Sequence, residues 1–437
     1  MKRLAPALAL WLVALPMHAQ VRLTGDVTFG DDYGAAVAID GSIAVVGAPL
    51  DATNGGDAGA AYVYERGPGG WTLLQKILGP LPISRFGFSV AVVVDESGLN
   101  EGDFIAVGSL TGTGATLRSG NVRMYRRLPP DTEFTFQSTL AAGDGLNGDD
   151  FGYAVALDLS VPSETLSGDP VYTLAVGARK KGLTGVGSEV GAVYVYQAAP
   201  DGSAWAGTAK LVPDDLMGAD QFGTAVDISE DFIVAGAPQG THPEGVAYLA
   251  RRFFDTGAGN FSWSVNRRIK ASDGVTGDRF GESVAISQGV VAVAARFHDL
   301  TASSFANEGA VYLVDGSTDI NFEINETFKL LSPNFTAGTA DEFGSQVAVD
   351  RHLMSITEKV DGGTSHIFQS DGQGEWSRLE TLTTNDPDAT DAGAESNAMG
   401  FSLPEVIVGD RRNLGPGGTV HILTNQLVFS ASFEATQ

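Results

Sequence analysis

The basic residues of this strongly acidic chain recur in a pattern that could bind anions. The sequence contains 27 Lys and Arg against 53 Asp and Glu, a formal net charge of −26 at pH 7. Many of the basic residues lie in the stretches that follow apolar segments resembling one another, such as "AVGAR" and "VAVAAR". These residues are Arg118, Arg179, Lys180, Lys181, Arg296, Lys359, Arg411 and Arg412. Guanidinium and ammonium groups bind carboxylate and phosphate oxygens through charge-assisted hydrogen bonds.

The same cations could instead pair with aspartates of the chain. Short segments ahead of the apolar ones contain Asp144, Asp149, Asp214, Asp220, Asp273 and Asp278. Ion pairs at a surface contribute only about 0–1 kcal/mol each, so such pairing would have little effect on stability. Two interpretations stay open: solvated salt bridges, or a polar groove for an anionic or hydroxyl-rich ligand. The groove would use Arg179, Lys180, Lys181, Arg296, Arg411 and Arg412.

The residues of common catalytic sites are sparse. The chain has no Cys and no Gly-x-Ser-x-Gly turn, and its histidines after the N-terminal segment lie far apart: His242, His298, His352, His366 and His421. We therefore expect a protein without catalytic activity. The alternatives are a lyase or hydrolase for acidic polysaccharide, with His298 near Arg296, and a lectin that uses Phe297 and Phe305 as sugar platforms.

A repeated phrase must position these residues. An aromatic-Gly pair is followed by an apolar segment, a "VGAP"-like segment and a Gly-led "AVYVY"-like segment. The starts are Tyr33, Phe86, Phe151, Phe222, Phe280 and Phe343, with a degenerate seventh at Met399. Each unit reads as four strands, from an almost wholly apolar second strand to a half-exposed fourth. We predict an all-β fold, a seven-bladed β-propeller of four-stranded antiparallel blades.

Three further expectations concern how the blades are built. The short polar residue two positions before each aromatic, such as Asp149 or Asp220, should cap a turn. The seventh unit lacks the aromatic and most of its first strand, so the last blade should be the weakest. Its outer strand should come either from the N-terminal "VRLTGD" or from the C-terminal "LVFSASFE".

Segments such as "SDGVTGDRFGESVAI", "VVAVAAR" and "EGAVYL" resemble the FG-GAP repeats of exported bacterial proteins, which are related to the integrin α propeller. The resemblance covers the chain from about Val21 to about Leu423. It implies a seven-bladed propeller that binds a ligand or mediates adhesion outside the cell. It does not identify the ligand, because function varies widely on one fold.

Calcium-binding versions of the family carry an Asp-x-Asn/Asp-x-Asp-Gly-x-x-Asp loop between the first two strands. The nearest fragment here runs from Asp95 to Asp103, with Ser97 at the third position, but Leu99 stands where a carboxylate is required. Asp95, Ser97 and Asp103 are therefore a weak metal candidate. We predict no cofactor and leave calcium open.

The N-terminal residues predict export. Lys2 and Arg3 precede an apolar stretch from Leu4 to Leu15, and Ala19 offers a cleavage site. We predict a signal peptide over 1–19, a propeller over 20–426 and a terminal strand or tail over 427–437. The mature protein should be secreted, periplasmic or at the cell surface, monomeric and not inserted in a membrane. Its acidity disfavours nucleic acid, so the expected partner is an extracellular protein or a polysaccharide.

Overall fold

The computed structural model describes most of the chain in seven blades. The described residues are 19–95, 102–111, 119–163, 170–199, 201–240, 242–255, 260–299, 307–316, 323–333, 340–359, 364–372, 374–383, 396–402, 405–410 and 419–424. The predicted signal segment before Ala19 lies outside them, as does the tail over 427–437. Ser97, Arg118, Arg411 and Arg412 also lie outside the described residues.

The four strands of each blade pair antiparallel, and in blades one to six they follow chain order. The first strand of the chain is β1 (Ala19–Leu23). Blade one contains β2 (Ala36–Asp40), β3 (Ile43–Ala48), β4 (Ala60–Gly67) and β5 (Gly70–Leu78); blade two contains β6 (Ser89–Val93), β7 (Asp103–Ser109), β8 (Asn121–Arg127) and β9 (Thr135–Leu140). Blade three contains β10 (Phe151–Ser160), β11 (Val171–Ala178), β12 (Ala192–Ala198) and β13 (Trp205–Leu211).

The remaining blades continue the pattern. Blade four contains β14 (Val226–Ser229), β15 (Phe232–Ala237), β16 (Val246–Asp255) and β17 (Asn260–Lys270). Blade five contains β18 (Ser283–Ser287), β19 (Val290–Ala295), β20 (Ala310–Asp315) and β22 (Phe328–Leu330), with β21 (Glu323–Asn325) placed between β20 and β22 in the chain. Blade six contains β23 (Val347–Asp350), β24 (Leu353–Glu358), β25 (Thr364–Ser370) and β26 (Trp376–Thr383); blade seven contains β27 (Ser396–Ser402), β28 (Glu405–Asp410) and β29 (Thr419–Thr424).

The blades form a closed ring around a central channel. First strands of consecutive blades lie side by side, from β2 beside β6 to β23 beside β27, and β27 lies beside β2. None of the described residues forms a helix, so none of them belongs to a helix that could cross a membrane. The predicted all-β, seven-bladed fold is confirmed.

The N-terminal strand completes the last blade. Strand β1 pairs antiparallel with β29, in a register that sets Val21 opposite Ile422 and Leu23 opposite Val420. Of the two closures that the sequence left open, the structure has the N-terminal one. The expectation that the seventh unit lacks most of its first strand was wrong, because Ser396–Ser402 forms β27 and pairs with β28. A propeller joined by hydrogen bonds between its first and last segments has no open interface between blades.

Two recurring residues of the repeat explain how neighbouring blades pack. Phe86 is fully buried between the sheets of blades one and two, in a cluster with Ile43 and Val107. Gly87 has φ +90°, and a Cβ there would lie 2.2 Å from the carbonyl oxygen of Ala60. Only glycine permits both this backbone conformation and this close approach. The aromatic-Gly pair is thus a packing device between blades.

Blade four has a fifth strand that the sequence did not predict. Strand β21 pairs parallel with β17, with Ile324 opposite Ile269. The chain reaches this position on its way from the third to the outer strand of blade five, and it then returns as β22. The connection therefore links the outer edges of two neighbouring blades.

Candidate functional site

One rim of the ring is built by two kinds of loop, which we call together the hairpin rim. They are the hairpins between second and third strands and the turns that lead into each first strand. The turn before Phe222 lies against the hairpin of blade three, where Phe222 donates its N–H to Val190 at 3.0 Å and Ala219 donates to Ser188 at 2.9 Å. Such a turn is also tied to the hairpin of its own blade. In blade three, for example, Lys180 donates its backbone N–H to the carbonyl oxygen of Asp149 in the turn before Phe151. Each turn is therefore held between two blades.

The predicted turn caps are present at this rim. The Asp149 carboxylate accepts the N–H of Leu146 at 2.6 Å, and Asp220 accepts that of Met217 at 2.8 Å. Asp31 and Asp278 close the equivalent turns in blades one and five. An aspartate that bonds to the backbone N–H three residues earlier fixes the turn and leaves its tip facing solvent.

Arg179 and Lys180 of the hairpin in blade three share one carboxylate. Arg179 Nε and Lys180 Nζ each lie 3.2 Å from Asp150 Oδ2. The guanidinium carbon of Arg179 also lies 3.8 Å from the centroid of the Tyr153 ring, a cation–π contact. Both cations remain partly exposed, so a ligand could still reach them.

Lys181 differs from its two neighbours because it is buried. Its Nζ lies 2.9 Å from Asp149 Oδ2, and only 3% of its side chain is exposed. The ammonium also donates to the carbonyl oxygen of Asp144. The structure thus places Lys181 beneath the rim surface, inside the turn that Asp149 closes.

Arg296 lies at the mouth of the central channel. Its guanidinium contacts Glu282 at 3.2 Å and Glu342 at 3.9 Å, and Lys359 reaches the same Glu342 at 2.9 Å. Within the described part of the chain, Arg296 Nε and Glu282 Oε2 are buried atoms without a hydrogen-bond partner. Phe297, named as a sugar platform, lies between Arg279 and Arg296, at 4.9 and 4.5 Å from their guanidinium carbons. Phe305 lies outside the described residues.

In the weak metal candidate, Asp103 is already hydrogen-bonded to other groups of the protein. Asp103 accepts two hydrogen bonds from Arg127, at 3.0 and 2.7 Å, and one from the backbone N–H of Asp95 at 3.0 Å. Ser97 is outside the described residues. The part of the chain that the structure describes contains no cluster of three or more His, Asp or Glu arranged to hold a metal ion.

His298 and Arg296, the pair named for the enzyme alternative, have different partners. His298 Nδ1 lies 2.8 Å from Asp278 Oδ2, and its Nε2 lies 2.9 Å from Lys329 Nζ. The ring is buried and packs edge-on against Tyr312. Because Arg296 contacts Glu282 and Glu342 instead, the two side chains have no carboxylate partner in common among the described residues.

A second repeated cluster was missed by the sequence reasoning. Asp144 accepts hydrogen bonds from Tyr194 and Lys210, each at 2.6 Å. Partial burial would raise the pKa of Asp144, but the hydrogen bonds from Lys210 and Tyr194 outweigh it and lower the pKa to about 2. The same contacts recur as Asp215 with Tyr248 and Arg268, and as Asp273 with Tyr312 and Lys329. An aspartate seven residues before the aromatic is the sequence signal that could have revealed them.

Exposed apolar side chains stand at the tips of the rim turns, which the sequence reasoning also missed. Leu81, Leu146, Met217 and Val275 each lie five residues before the aromatic, and each is 43 to 58% exposed. Val186, at the hairpin of blade three, is 47% exposed. A loop that only faces solvent does not require exposed apolar side chains. Their recurrence at equivalent positions of consecutive blades therefore indicates an interaction surface.

The channel itself carries two unusual carboxyl groups. It encloses about 1170 Å³ and is lined by the first strands, including Asp158 of blade three and Asp227 of blade four. Burial raises the pKa of Asp158 to about 6, against the opposing effects of Ser160 and Arg252. Burial also raises the pKa of Asp227 to about 7, although the backbone N–H groups of Ile286 and Ile228 hydrogen-bond to it.

Comparison with known families identifies the repeat. The family model of the FG-GAP repeat matches residues 19–64, 134–196, 205–250 and 263–314. Each match begins in or just before an outer strand (β1, β9, β13 and β17) and ends within the third strand of the following blade. The first match begins at β1, just as the other matches begin at the outer strands β9, β13 and β17. This agrees with the position of β1 as the outer strand of blade seven. No curated protein matches the chain.

Proposed function

The chain is an FG-GAP repeat protein that folds as a seven-bladed β-propeller, and from this premise we propose that it is an exported, non-catalytic binding or adhesion protein. It recognises an extracellular protein or a glycan through the loops of the hairpin rim. The predicted signal segment over 1–19 directs it out of the cytoplasm, to the periplasm, the cell surface or the medium.

The observation that carries this proposal is the construction of the rim. Its turns are tied to two blades at once, and aspartate caps such as Asp149 and Asp220 fix their shape. A surface whose loops are already ordered loses little conformational entropy when it binds. Rigid loops that present side chains to solvent are typical of binding sites on a stable scaffold.

Arg179, Lys180 and Arg296 are the cations that this surface offers. Each is paired with a carboxylate but is still partly exposed. A ligand carboxylate or hydroxyl could share these donors. Arg411 and Arg412, predicted for the same rim, belong to this proposal on their sequence positions alone.

The test uses the chain from Gln20 onward, labelled and applied to a glycan array and to immobilised envelope proteins, with product analysis of every bound sugar. The Arg179→Glu, Lys180→Glu double variant should bind its ligand less well, and the loss should shrink as salt screens the charges. Arg351→Glu is the matched control, because Arg351 is an exposed arginine at the opposite rim. Equal capture by both variants, or turnover of a bound sugar, would overturn the proposal.

A further inference from the structure

The apolar tips of blades three to five follow one another along the hairpin rim. Val186 and Met217 stand on adjoining turns, since a Cβ added at Gly187 would lie 2.9 Å from the Cα of Gly218. The turn of Val275 is tied to the hairpin of blade four, where Gly277 donates its N–H to the carbonyl oxygen of Pro243 at 2.7 Å. These turns are anchored on both sides, so the backbone that presents the exposed side chains keeps a fixed position.

Carboxylates lie beside these tips, while Arg179 and Lys180 of the hairpin in blade three are already paired with Asp150. Glu189 shares a hairpin with Val186, and Asp214 is an exposed carboxylate three residues before Met217. Arg268 is paired with Asp215 at 2.6 Å. Glu189 accepts only a neutral donor, the side-chain amide of Gln221 at 3.1 Å, among the contacts within the described chain. We call Val186, Met217 and Val275, with Glu189 and Asp214, the acidic apolar arc.

The composition of the arc restricts what can cover it. Apolar side chains, methionine in particular, are enriched in the buried centres of protein interfaces. Carboxylates beside them favour a partner with positive charge, because opposite charges across an interface guide association and like charges are rejected. An acidic polysaccharide or an anionic lipid surface would bring further negative charge against Glu189 and Asp214.

We propose that the acidic apolar arc is the docking surface for a protein segment that alternates basic and apolar side chains. The inference rests on the proposed binding function and names the chemistry of the partner. The apolar side chains of the segment cover Val186, Met217 and Val275, while its lysine or arginine side chains lie against Glu189 and Asp214. This differs from the groove suggested by the basic residues, which would select an anion.

The test measures fluorescence anisotropy of a labelled dodecapeptide of alternating lysine and leucine with the full mature chain. A lysine–serine peptide, a glutamate–leucine peptide and labelled polygalacturonate are the comparison probes. The variants are the Val186→Ser, Met217→Ser double and Asp214→Asn. Val161→Ser is the matched control. Val161 is 48% exposed, close to the value for Val186, but it follows β10 at the opposite rim.

The lysine–leucine peptide should bind the wild-type chain more tightly than the other probes do. The double variant should weaken this binding about tenfold or more, because burial of two apolar side chains is worth at least the 1.4 kcal/mol that corresponds to tenfold. Asp214→Asn should weaken it mainly at low salt. Val161→Ser should leave it unchanged.

Other results would overturn the inference and still separate it from the proposed function. If polygalacturonate binds and the double variant binds it as the wild type does, the partner chemistry is wrong while rim binding stands. If the lysine–leucine peptide binds wild type and double variant equally, the arc is not its docking surface. If no probe binds, the inference is also overturned, and capture on the glycan and protein arrays then decides the proposed function separately.

Discussion

The ammonium group of Lys181 lies 2.9 Å from the Asp149 carboxylate, and both side chains are buried. The same carboxylate oxygen accepts the backbone N–H of Leu146, so one aspartate both closes the turn and neutralises the lysine. Lys180, the preceding residue, instead reaches Asp150 and is a third exposed. Two adjacent lysines of one hairpin thus have different environments, although they are alike in sequence.

Substitution of these two lysines should have different effects on stability. Lys181→Met leaves the Asp149 charge buried without its partner, and loss of one member of a buried pair costs about 3 kcal/mol or more. Lys180→Met should change the unfolding free energy by no more than about 0.5 kcal/mol, because the site is at the surface. The midpoint of urea unfolding measures both. Equal midpoints for the two variants would contradict the role assigned to Lys181.

The two channel carboxyls predict a dependence of stability on pH. Asp158 and Asp227 hold their protons to a higher pH in the folded chain than in the unfolded chain, where the pKa of aspartate is about 3.9. Between about pH 4 and 7 the unfolded state therefore binds fewer protons, so their contribution to stability falls as pH rises through that window. Arg252 opposes this effect at Asp158, and the nearby Glu230 adds to it.

Asp227→Asn tests this dependence. Asparagine keeps an oxygen that can accept the N–H of Ile286 but cannot ionise, so the variant should gain stability relative to the wild type as pH rises. The difference in unfolding free energy should grow from pH 4 to pH 8 by up to about 4 kcal/mol, since the shift is about three pKa units. Urea unfolding at a series of pH values measures it, with the exposed Asp214→Asn as control. A difference for Asp227→Asn that stays constant with pH would refute the prediction.

The sequence predicted contacts that are local or repeated. The cap from Asp149 to Leu146 spans three residues, and every unit carries the same short polar position, so turn chemistry sufficed. The sequence allowed pairing of the rim cations with aspartates but could not assign the partners, because Lys181 is 32 residues from Asp149 and Lys210 is 66 from Asp144. The folding of blade three onto the turn that precedes it brings both pairs together.

The fifth strand of blade four and the apolar tips were missed for a different reason. Residues Glu323–Asn325 occur once, in a connection that has no counterpart in other units, so repetition gives no information about their pairing. The apolar residues before each aromatic are visible in the sequence. Their exposure depends on the capped turn, which directs Leu146 and Met217 to solvent.

Chelation should have little effect on the stability of the propeller. Asp103 of the candidate calcium loop is already bonded to Arg127 and to the N–H of Asp95, and Leu99 interrupts the ligand spacing. A cation at a hundred times its dissociation constant would stabilise the folded state by about 2.7 kcal/mol. Thermal melts with and without EDTA, and with added calcium, measure the change. A shift of that size would show that the loop binds calcium despite its incomplete ligand set.

Closure of the ring should depend on the N-terminal strand. Leu23 of β1 is 3% exposed and packs with Tyr33, Val420 and Ile422 in the core between blades seven and one. Leu23→Ala should lower the unfolding free energy by about 2 to 5 kcal/mol, the range for a buried leucine. Leu73→Ala, at a half-exposed position of β5, is the matched control and should have a much smaller effect. Because β1 and β29 come from opposite ends of the chain, loss of this packing should also make blade seven the first site of proteolytic cleavage. If Leu23→Ala and Leu73→Ala unfold at the same urea concentration and are cleaved alike, β1 does not carry the closure, and the C-terminal segment becomes the candidate for the outer strand.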